Sequence, residues 1–387
     1  MRILFTCYPG VGHLHPMLPL AGAARRAAHD VVLATAPDLV PRAESYGFDV
    51  WPIGLSSDDT VARYLERYPH SNDLPAEERL RLVAPRMFVD IGARSRVEPL
   101  YERAAAWQPD LVVHDQSEFA APIVAARLDT PTVVHSWGPM MPAELTALVE
   151  PAVAALAAEH GVRGGIMADA LESSVYVDIC PPGLQLPGGP AWKRVQPMRH
   201  QDPEPAPDGR LYDAIGRLPR ADTVYVTLGT VVNKLPGVFE AVLEAIEGVD
   251  VNAIVTVGPD VDPGRLGDQP PHVLVERYIP QALVLPRCRA IVAHAGAGTM
   301  LGALSNGVPQ VLLPHGAEQH LNAEACRRAG AAIVLRPDEL DAAAIRGALM
   351  RVLDEPPFAE AAERLRDEIA AMPPPDEVLA AITANHR

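Results

Sequence analysis

The chain has few cysteines, a deficit of basic residues and no long uninterrupted hydrophobic run. Four cysteines show neither a CxxC pair nor a metal-like spacing, which predicts buried thiols in a reducing compartment: Cys7, Cys180, Cys288 and Cys326. The 33 Lys and Arg residues are outnumbered by 49 Asp and Glu residues, giving a formal net charge of −16. Such a surface repels phosphate backbones, so we expect no nucleic-acid partner and a local device for any bound phosphate.

No segment has the pattern of a secretion leader or a membrane span. The start of the chain offers only Ile3-Leu4-Phe5 before polar and turn residues follow, which is too short for a signal peptide. The apolar stretch 131–158 is interrupted by His135, Glu144, Glu150 and prolines. We therefore expect a cytoplasmic protein without membrane insertion.

Short apolar runs and helical periodicity alternate along the 387 residues, which are enough for two domains. This alternation is typical of doubly wound parallel sheets, whose ligands bind at the carboxyl ends of the strands. The expected strands are 2–7, 31–35, 111–114, 132–135, 223–228, 251–257, 273–275, 290–293, 311–313 and 332–335. The expected helices include 16–28, 117–128 and 236–247, whereas residues 55–90 are expected to be long and irregular.

A proline-rich, aperiodic stretch between Pro197 and Pro207 predicts a linker between the two domains. We expect a first Rossmann-like domain at 1–200, a linker at 201–218 and a second Rossmann-like domain at 219–370. Residues 371–387 are expected to form a C-terminal helix that packs back toward the first domain.

A run of small residues follows the expected strand 290–293. It reads His294-Ala295-Gly296-Ala297-Gly298-Thr299, and a helix is expected over Met300–Ser305. Small residues let the backbone approach a ligand, and a helix start offers unpaired N–H groups to an anion. The run is neither a Walker loop nor a G-x-G-x-x-G fingerprint. Taken alone, these six residues also fit a plain glycine-rich turn with a structural histidine.

A longer block around this run carries a family resemblance. It contains Tyr278-Ile279-Pro280-Gln281, Gly307-Val308-Pro309, Pro314-His315-Gly316-Ala317-Glu318-Gln319 and Asn322. With these motifs the chain resembles the nucleotide-sugar glycosyltransferases of the two-domain GT-B fold. More narrowly, it is similar to bacterial enzymes that decorate antibiotics and other natural products, which are relatives of plant small-molecule glycosyltransferases. The resemblance covers essentially the whole chain, with the first domain binding the acceptor and the second the donor.

The resemblance implies contacts between the second domain and a dTDP- or UDP-sugar. Tyr278 would stack on the pyrimidine, where the family commonly has tryptophan, and the backbone of Ile279 would pair with the base edge. His294 would hold the diphosphate with backbone N–H groups, while Glu318 would contact sugar hydroxyls. The implied donor-binding residues are Thr230, Tyr278, Ile279, Gln281, His294, Gly296, Gly298, Thr299, Glu318 and Gln319.

One departure from the family pattern bears on the choice of nucleotide. Plant relatives place a glutamate eight residues after the histidine, where it binds both ribose hydroxyls, but this chain has Gly302 there. Loss of that contact hurts UDP more than dTDP, which lacks the 2′-hydroxyl. The sequence therefore favours a dTDP-deoxysugar as donor.

The resemblance also implies a catalytic pair in the first domain. An imidazole suits proton abstraction near neutral pH. The family keeps its catalytic histidine three residues before a proline, which selects His13 over His15, and uses an aspartate at the position of Asp115 to hold the imidazole. His15 is then expected to be structural. A buried structural histidine and a helix N-cap remain the alternatives for His13 and Asp115.

The implied reaction is a single displacement with inversion, in which His13 removes the proton of an acceptor hydroxyl. Four residues are expected to line an apolar acceptor pocket: Phe88, Trp137, Met140 and Met141. No metal is expected, because Asp260-Val261-Asp262 lies in a proline-flanked turn. Three alternatives stay open: carbon–carbon glycosylation of an aromatic acceptor, a nucleotide-sugar epimerase or hydrolase, and a silent binding module. A homodimer is an open expectation.

Overall fold

The computed structural model describes residues 1–74, 76–203, 209–229, 237–258, 261–316 and 318–384. Its chain divides into two compact units. The first unit consists of Met1–Ile179, Leu186–Arg199 and Pro373–Arg387. The second unit consists of Cys180–Gln185 and His200–Met372. The domain limits expected from the sequence stay predictions.

The first unit has a seven-stranded, wholly parallel sheet. Its strands are β1 (Arg2–Thr6), β2 (Asp30–Thr35), β3 (Asp49–Pro52), β4 (Leu111–Asp115), β5 (Thr132–His135), β6 (Val175–Asp178) and β7 (Val195–Pro197). Their order in the sheet is β3-β2-β1-β4-β5-β6-β7. The central strands are buried on both faces, which explains their unbroken runs of valine, isoleucine and leucine.

Helices connect these strands. They are α1 (Val11–Arg26), α2 (Val40–Ser45), α3 (Ser57–Arg67), α4 (Ala76–Val83), α5 (Arg94–Trp107), α6 (Ala120–Leu128), α7 (Ala143–Glu159) and α8 (Ile166–Ser173). A π-helical segment, Ala84–Ala93, joins α4 to α5. Beyond the second unit, the last helix of the chain, at Pro375–Ala384, returns to the first unit.

The second unit has a six-stranded parallel sheet in the order β10-β9-β8-β11-β12-β13. The strands are β8 (Thr223–Thr227), β9 (Asn252–Thr256), β10 (Val273–Glu276), β11 (Ala290–Ala293), β12 (Gln310–Leu312) and β13 (Ala332–Val334). The helices are α9 (Gly209–Gly216), α10 (Val238–Ile246), α11 (Gln281–Val284), α12 (Ala297–Ser305), α13 (Gln319–Ala329), α14 (Ala342–Asp354) and α15 (Pro356–Ala371). Numbered in chain order, the helix at Pro375–Ala384 is α16.

Each sheet has one point where the strand order reverses. In the first unit this switch point lies between β1 and β4, and in the second unit it lies between β8 and β11. At such a point the loops on either side diverge and leave a crevice at the carboxyl ends of the strands. The two sheets therefore each offer one preferred place for a ligand.

Two expectations about local structure are wrong. Helix α1 begins at Val11, not at Pro16, so Pro16 and Pro19 lie inside it. Since prolines are common in first helical turns, the sequence pattern placed the start too late. His13 consequently lies in the first turn of the helix and not in a loop.

The stretch 55–90 is largely helical and not irregular. It contains α3, α4 and part of the π-helical segment. Helix α3 is mostly exposed and buries only Thr60 and Tyr64, so it has few apolar residues, although Ser56 caps it by accepting the N–H of Asp59 at 3.0 Å.

A search for membrane spans among the described residues found no helix that is both long and apolar enough. The cytoplasmic location stays a prediction.

Candidate functional site

A histidine and an aspartate meet at the switch point of the first sheet. Asp115 is the last residue of β4, and His13 lies in the first turn of the helix that follows β1. The Nδ1 of His13 is 3.2 Å from Oδ1 of Asp115. The Asp115 side chain is 1% exposed, whereas that of His13 is 20% exposed. The carboxylate of Asp115 is therefore buried, whereas the imidazole of His13 is still accessible to solvent.

Backbone N–H groups fix the Asp115 carboxylate. Its Oδ2 accepts the N–H of Tyr8 at 2.6 Å, and its Oδ1 accepts the N–H of Ser117 at 2.6 Å. Burial alone would raise the pKa of Asp115, but His13 and these two N–H groups outweigh it and hold the pKa below its usual value. An ionised carboxylate only accepts hydrogen bonds, so Nδ1 of His13 is the donor in this contact, and in the neutral imidazole the lone pair is then on Nε2.

Aromatic rings surround the imidazole. The rings of Tyr8 and Trp137 meet it edge-on, with centroids at 5.5 Å and 5.6 Å, and Phe88 stacks on Tyr8 at 4.4 Å. Gly92 allows this stack, because a Cβ there would lie 2.9 Å from Cε2 of Tyr8. Of the four expected acceptor residues, Trp137 thus contacts His13, and Phe88 contacts Tyr8, which itself contacts His13.

The other two expected acceptor residues, Met140 and Met141, come a few residues after Trp137 in the chain. Met140 and Met141 are half-buried in the segment before α7. A Cβ at Gly189 would lie 2.8 Å from Sδ of Met140, so Met140 lies over Gly189. Their acceptor role stays a prediction.

His15 has different neighbours from the His13–Asp115 pair. Its ring meets Tyr46 edge-on at 5.8 Å, and its Nε2 lies 3.4 Å from Nη1 of Arg42. These contacts are consistent with the structural role expected for it.

Sequence reasoning missed two buried charged residues behind Asp115. Arg96, in α5, and Glu118, just after β4, are 0% and 1% exposed, and Nη2 of Arg96 lies 2.6 Å from Oε2 of Glu118. Neither residue stands in a recognisable motif. The only signal in the sequence was an arginine among apolar residues of an amphipathic helix.

The second candidate site lies at the switch point of the second sheet. The His294 ring follows β11 and fits between two glycines, Gly229 after β8 and Gly296. A Cβ at Gly229, whose φ is +77°, would lie 2.5 Å from Nε2 of His294, and a Cβ at Gly296 would lie closer still. Any larger residue at either position would displace the imidazole.

The turn between His294 and Gly296 contains a residue with a strained backbone. Ala295 has φ +64°, which is rare for a residue with a side chain. Its carbonyl accepts Nδ2 of Asn322 at 2.9 Å, and Asn322 is 1% exposed. Asn322 stood in the family motif, but the sequence did not reveal that it fixes this turn.

The imidazole of His294 is neutral at physiological pH. Burial lowers the pKa of His294 to about 4, opposed by a backbone interaction with Thr227 and reinforced by His315. Its buried Nδ1 has no hydrogen-bond partner among the described residues. A buried polar atom of this kind is costly unless a hydrogen-bond partner, such as a ligand or a water molecule, satisfies it.

Helix α12 starts directly after this turn, with Gly296 as its N-cap. The N–H groups of Ala297, Gly298 and Thr299 belong to the first turn, where no carbonyl of the helix itself can accept them. A Cβ at Gly298 would meet none of the described residues within 4 Å, so there is open space beside Gly298 in the first turn. This arrangement is suited to an anion.

The expected nucleoside contacts flank the same helix. Tyr278 is 42% exposed, whereas Ile279 is 1% exposed. The Nε2 of Gln281 donates to Oδ1 of Asp202 at 2.6 Å and to the carbonyl of Gly298 at 3.1 Å. Both partners are acceptors, so they fix the orientation of the amide, and only Oε1 of Gln281 is left to meet a nucleotide.

Gln281 also occupies the space in front of Gly302. A Cβ at Gly302 would lie 2.7 Å from Nε2 of Gln281 and 3.1 Å from Cδ1 of Leu285. A larger side chain at this position therefore cannot fit without moving Gln281 away from Asp202.

The remaining donor predictions lie near the start of α13. Glu318 is its half-buried N-cap. The Oε1 of Gln319 accepts the N–H groups of His315 at 2.9 Å and Gly316 at 3.2 Å, which leaves its Nε2 as the group for a sugar hydroxyl. Thr230 lies outside the described residues. The roles of Glu318 and Gln319 stay predictions.

No group of three or more potential metal ligands was found in the part of the chain that the structure describes. Of the two aspartates in Asp260-Val261-Asp262, Asp260 lies outside that part. The side chain of Asp262 accepts the N–H of Gly264 at 3.4 Å and lies 3.6 Å from Nη2 of Arg277, so it caps an exposed turn. Independence from metals stays a prediction.

Comparisons with known proteins identify the family of the chain. Models of the erythromycin biosynthesis protein CIII-like N-terminal and C-terminal domains match residues 22–203 and 240–384. The chain is 30% identical to L-demethylnoviosyl transferase of Streptomyces niveus over 391 residues, which cover 100% of this chain and 99% of the relative.

Two solved structures illustrate the similarity of fold. The glycosyltransferase SnogD from Streptomyces nogalater has a TM-score of 0.76 at 29% identity, covering 100% of this chain and 99% of that one. The spinosyn rhamnosyltransferase SpnG complexed with thymidine diphosphate has a TM-score of 0.82 at 25% identity, covering 99% and 100%.

The two parallel sheets and these relatives define an enzyme of the GT-B fold that transfers sugar from a nucleotide-sugar. The chain belongs to the erythromycin biosynthesis protein CIII-like family, and it is a natural-product glycosyltransferase of the antibiotic type.

Proposed function

We propose that this enzyme transfers a deoxysugar from a dTDP-sugar to a hydroxyl group of a small natural-product aglycone, with inversion at the anomeric carbon. The first unit would activate the acceptor, and the second unit would hold the donor. The observation that carries the proposal is the His13–Asp115 pair, 3.2 Å apart at the switch point of the first sheet.

The chemistry follows from the state of this pair. With its proton on Nδ1 facing Asp115, His13 has its lone pair on Nε2 and can accept the proton of the acceptor hydroxyl. The oxygen attacks the anomeric carbon as the bond to the diphosphate breaks, and the diphosphate leaves with the electron pair. Asp115 stabilises the imidazolium that forms. An α-linked donor would give a β-glycoside.

The leaving diphosphate would be held at the start of α12. The N–H groups of Gly298 and Thr299 and the imidazole of His294 are the proposed donors of hydrogen bonds. The neutral His294 fits this role, because its unsatisfied Nδ1 can be protonated when an anion binds and raises its pKa.

The preference for dTDP rests on Gly302 and Gln281. The amide of Gln281 fills the space in which a glutamate at position 302 would have to lie, so that contact with a ribose 2′-hydroxyl has no room. Gln281 would instead accept a 3′-hydroxyl through Oε1, a group that dTDP and UDP share. The relative SpnG was solved with thymidine diphosphate, which supports the same choice.

The aglycone would lie against the rings next to His13. Trp137 and Phe88 give that wall an apolar character, which suits a polyketide-like or aromatic acceptor. In another structure SpnG is complexed with spinosyn aglycone.

The central test replaces His13 by alanine. We expect kcat to fall at least about 10²-fold, the usual scale for loss of a general base. The matched control is His15→Ala on the same helix, which should stay within about threefold of the wild type. Turnover is followed by mass spectrometry with a panel of dTDP-sugars and aromatic and macrolide aglycones. Near-full activity of His13→Ala would contradict the proposed role of His13 as general base.

Three further measurements test the finer points. Calorimetry should show dTDP binding at least as tightly as UDP, and a UDP affinity tenfold or more higher would contradict the donor assignment.

NMR of the product should show an inverted anomeric centre linked to oxygen, and an anomeric carbon linked to carbon would contradict O-glycosylation. Turnover that stops in EDTA would contradict independence from metals.

A further inference from the structure

One buried arginine reaches the carboxyl ends of several strands behind the catalytic pair. Nη1 of Arg96 donates to the carbonyl of Ile53 at 3.4 Å, and Nη2 donates to Oγ1 of Thr6 at 3.4 Å and to the carbonyl of Cys7 at 2.7 Å. Gly54, at φ +68°, makes room for it, because a Cβ there would collide with Cγ of Arg96. The guanidinium group of Arg96 is therefore held by specific hydrogen bonds in a buried site for which Gly54 leaves room.

The contact with Cys7 connects Arg96 to the catalytic pair through one peptide group. The carbonyl of the Cys7–Tyr8 peptide accepts Nη2 of Arg96 at 2.7 Å, and the N–H of the same peptide donates to Oδ2 of Asp115 at 2.6 Å. The other oxygen of Asp115 accepts Nδ1 of His13 at 3.2 Å. Hydrogen bonds in such a series polarise one another, and each fixes the orientation of the next group.

Glu118 balances the charge of Arg96. Its Oε2 lies 2.6 Å from Nη2 of Arg96, and its Oε1 accepts the N–H of Ala120 at 3.0 Å. Burial raises the pKa of Glu118, Arg96 opposes that rise, and Asp115 adds to it. Without Arg96, two buried carboxyl groups three residues apart would be left with no compensating cation.

We propose that Arg96 is a positioning residue for catalysis, which holds the Cys7–Tyr8 peptide so that its N–H fixes the Asp115 carboxylate against His13. The proposal rests on the proposed function, because it assigns Arg96 an effect only through the base. Arg96 touches neither substrate. It acts on kcat and leaves the donor site of the second unit unchanged.

The experiment compares two variants that differ only at position 96. Glu118→Gln is the reference, and the double variant Arg96→Met/Glu118→Gln removes the remaining buried charge without leaving an unpaired one. We expect the double variant to have a kcat at least about tenfold below the reference, with the donor KM and the Kd for dTDP unchanged within about twofold. Thermal unfolding checks that both proteins are folded.

A double-mutant cycle with His13→Ala separates positioning from general structural support. If Arg96 acts through the base, the same change at position 96 costs less than about twofold when His13 is absent. A loss of equal size in both backgrounds, or no loss in either, overturns the proposal. Near-full activity of His13→Ala alone would instead refute the proposed function, so the two failures are distinguishable.

A second variant covers the case in which the double variant does not fold. Arg96→Lys keeps a cation beside Glu118 but not the planar fork that reaches Cys7 and Ile53 together. We expect at least about a threefold loss of kcat that disappears in the His13→Ala background. A kcat within twofold of the wild type overturns the proposal.

Discussion

Replacing Asp115 by asparagine tests the catalytic pair with a change of very few atoms. The carboxylate accepts three N–H groups, from Tyr8, Ser117 and His13. An asparagine amide has a single acceptor oxygen, so its NH2 group must face at least one of these donors. If the oxygen stays with Tyr8, Nδ1 of His13 meets a donor, and the proton moves to Nε2, where the base is needed.

The size of the effect follows from the distance. An imidazolium about 4 Å from a carboxylate gains about 4 kcal/mol at an effective dielectric constant of about 20, and this pair is only partly open to solvent. Since about 1.4 kcal/mol corresponds to a factor of ten, we expect kcat to fall about 10³-fold. The Kd for dTDP should not change, because the donor residues belong to the other unit.

The assay is steady-state turnover by mass spectrometry, with calorimetry of dTDP as the check on the donor site. The control is Asp110→Asn, at the other end of the same strand, where the carboxylate accepts the N–H of Arg2 at 2.7 Å on the surface. It should stay within about twofold of the wild type. A kcat of Asp115→Asn within fivefold of the wild type would refute the role assigned to the pair.

Two predictions concern the donor site. His294→Ala should weaken dTDP binding about 10- to 100-fold, as expected for loss of a hydrogen bond to a charged group. Burial holds the pKa of free His294 near 4, and a bound anion raises it. The ratio of the dTDP affinities of the wild type and His294→Ala should therefore increase as the pH falls from 8 to 5. A ratio that is independent of pH would contradict this. Gly302→Ala should weaken dTDP binding about tenfold, because the added Cβ pushes Gln281 away from Asp202. The control is Gly347→Ala, whose Cβ would meet none of the described residues within 4 Å and which should not weaken binding. Equal calorimetric affinities of the two variants for dTDP would contradict this packing.

The sequence alone predicted the strands that are buried on both faces of the sheets. Strands β1, β4, β8 and β11 were recognised within one residue at each end, because strands buried on both faces are continuous apolar runs. Asp115 ends β4 and His294 follows β11, as expected, whereas His13 lies in α1 and not in the expected loop. The roles of these three residues stay predictions. The family resemblance then supplied the chemistry.

Short strands and distant partners could not be predicted. The strands β3 and β7 were missed, because they are partly exposed edge strands whose short sequences end in proline. Strand β6 was missed as well, although its four residues are buried. Arg96 was missed for a different reason: its partners lie 22 to 90 positions away, and no local pattern connects them. The same holds for the hydrogen bond of Asp202 with Gln281.

The path of the chain has a consequence for building hybrid enzymes. After the second unit, α16 returns to the first unit, where Nη2 of Arg26 in α1 lies 3.0 Å from both carboxylate oxygens of Asp376. A hybrid made by one crossover near residue 200 would combine α1 of one parent with α16 of the other. Exchanging the first unit between relatives therefore calls for a three-segment exchange, with residues 1–179, 186–199 and 373–387 taken from the same parent.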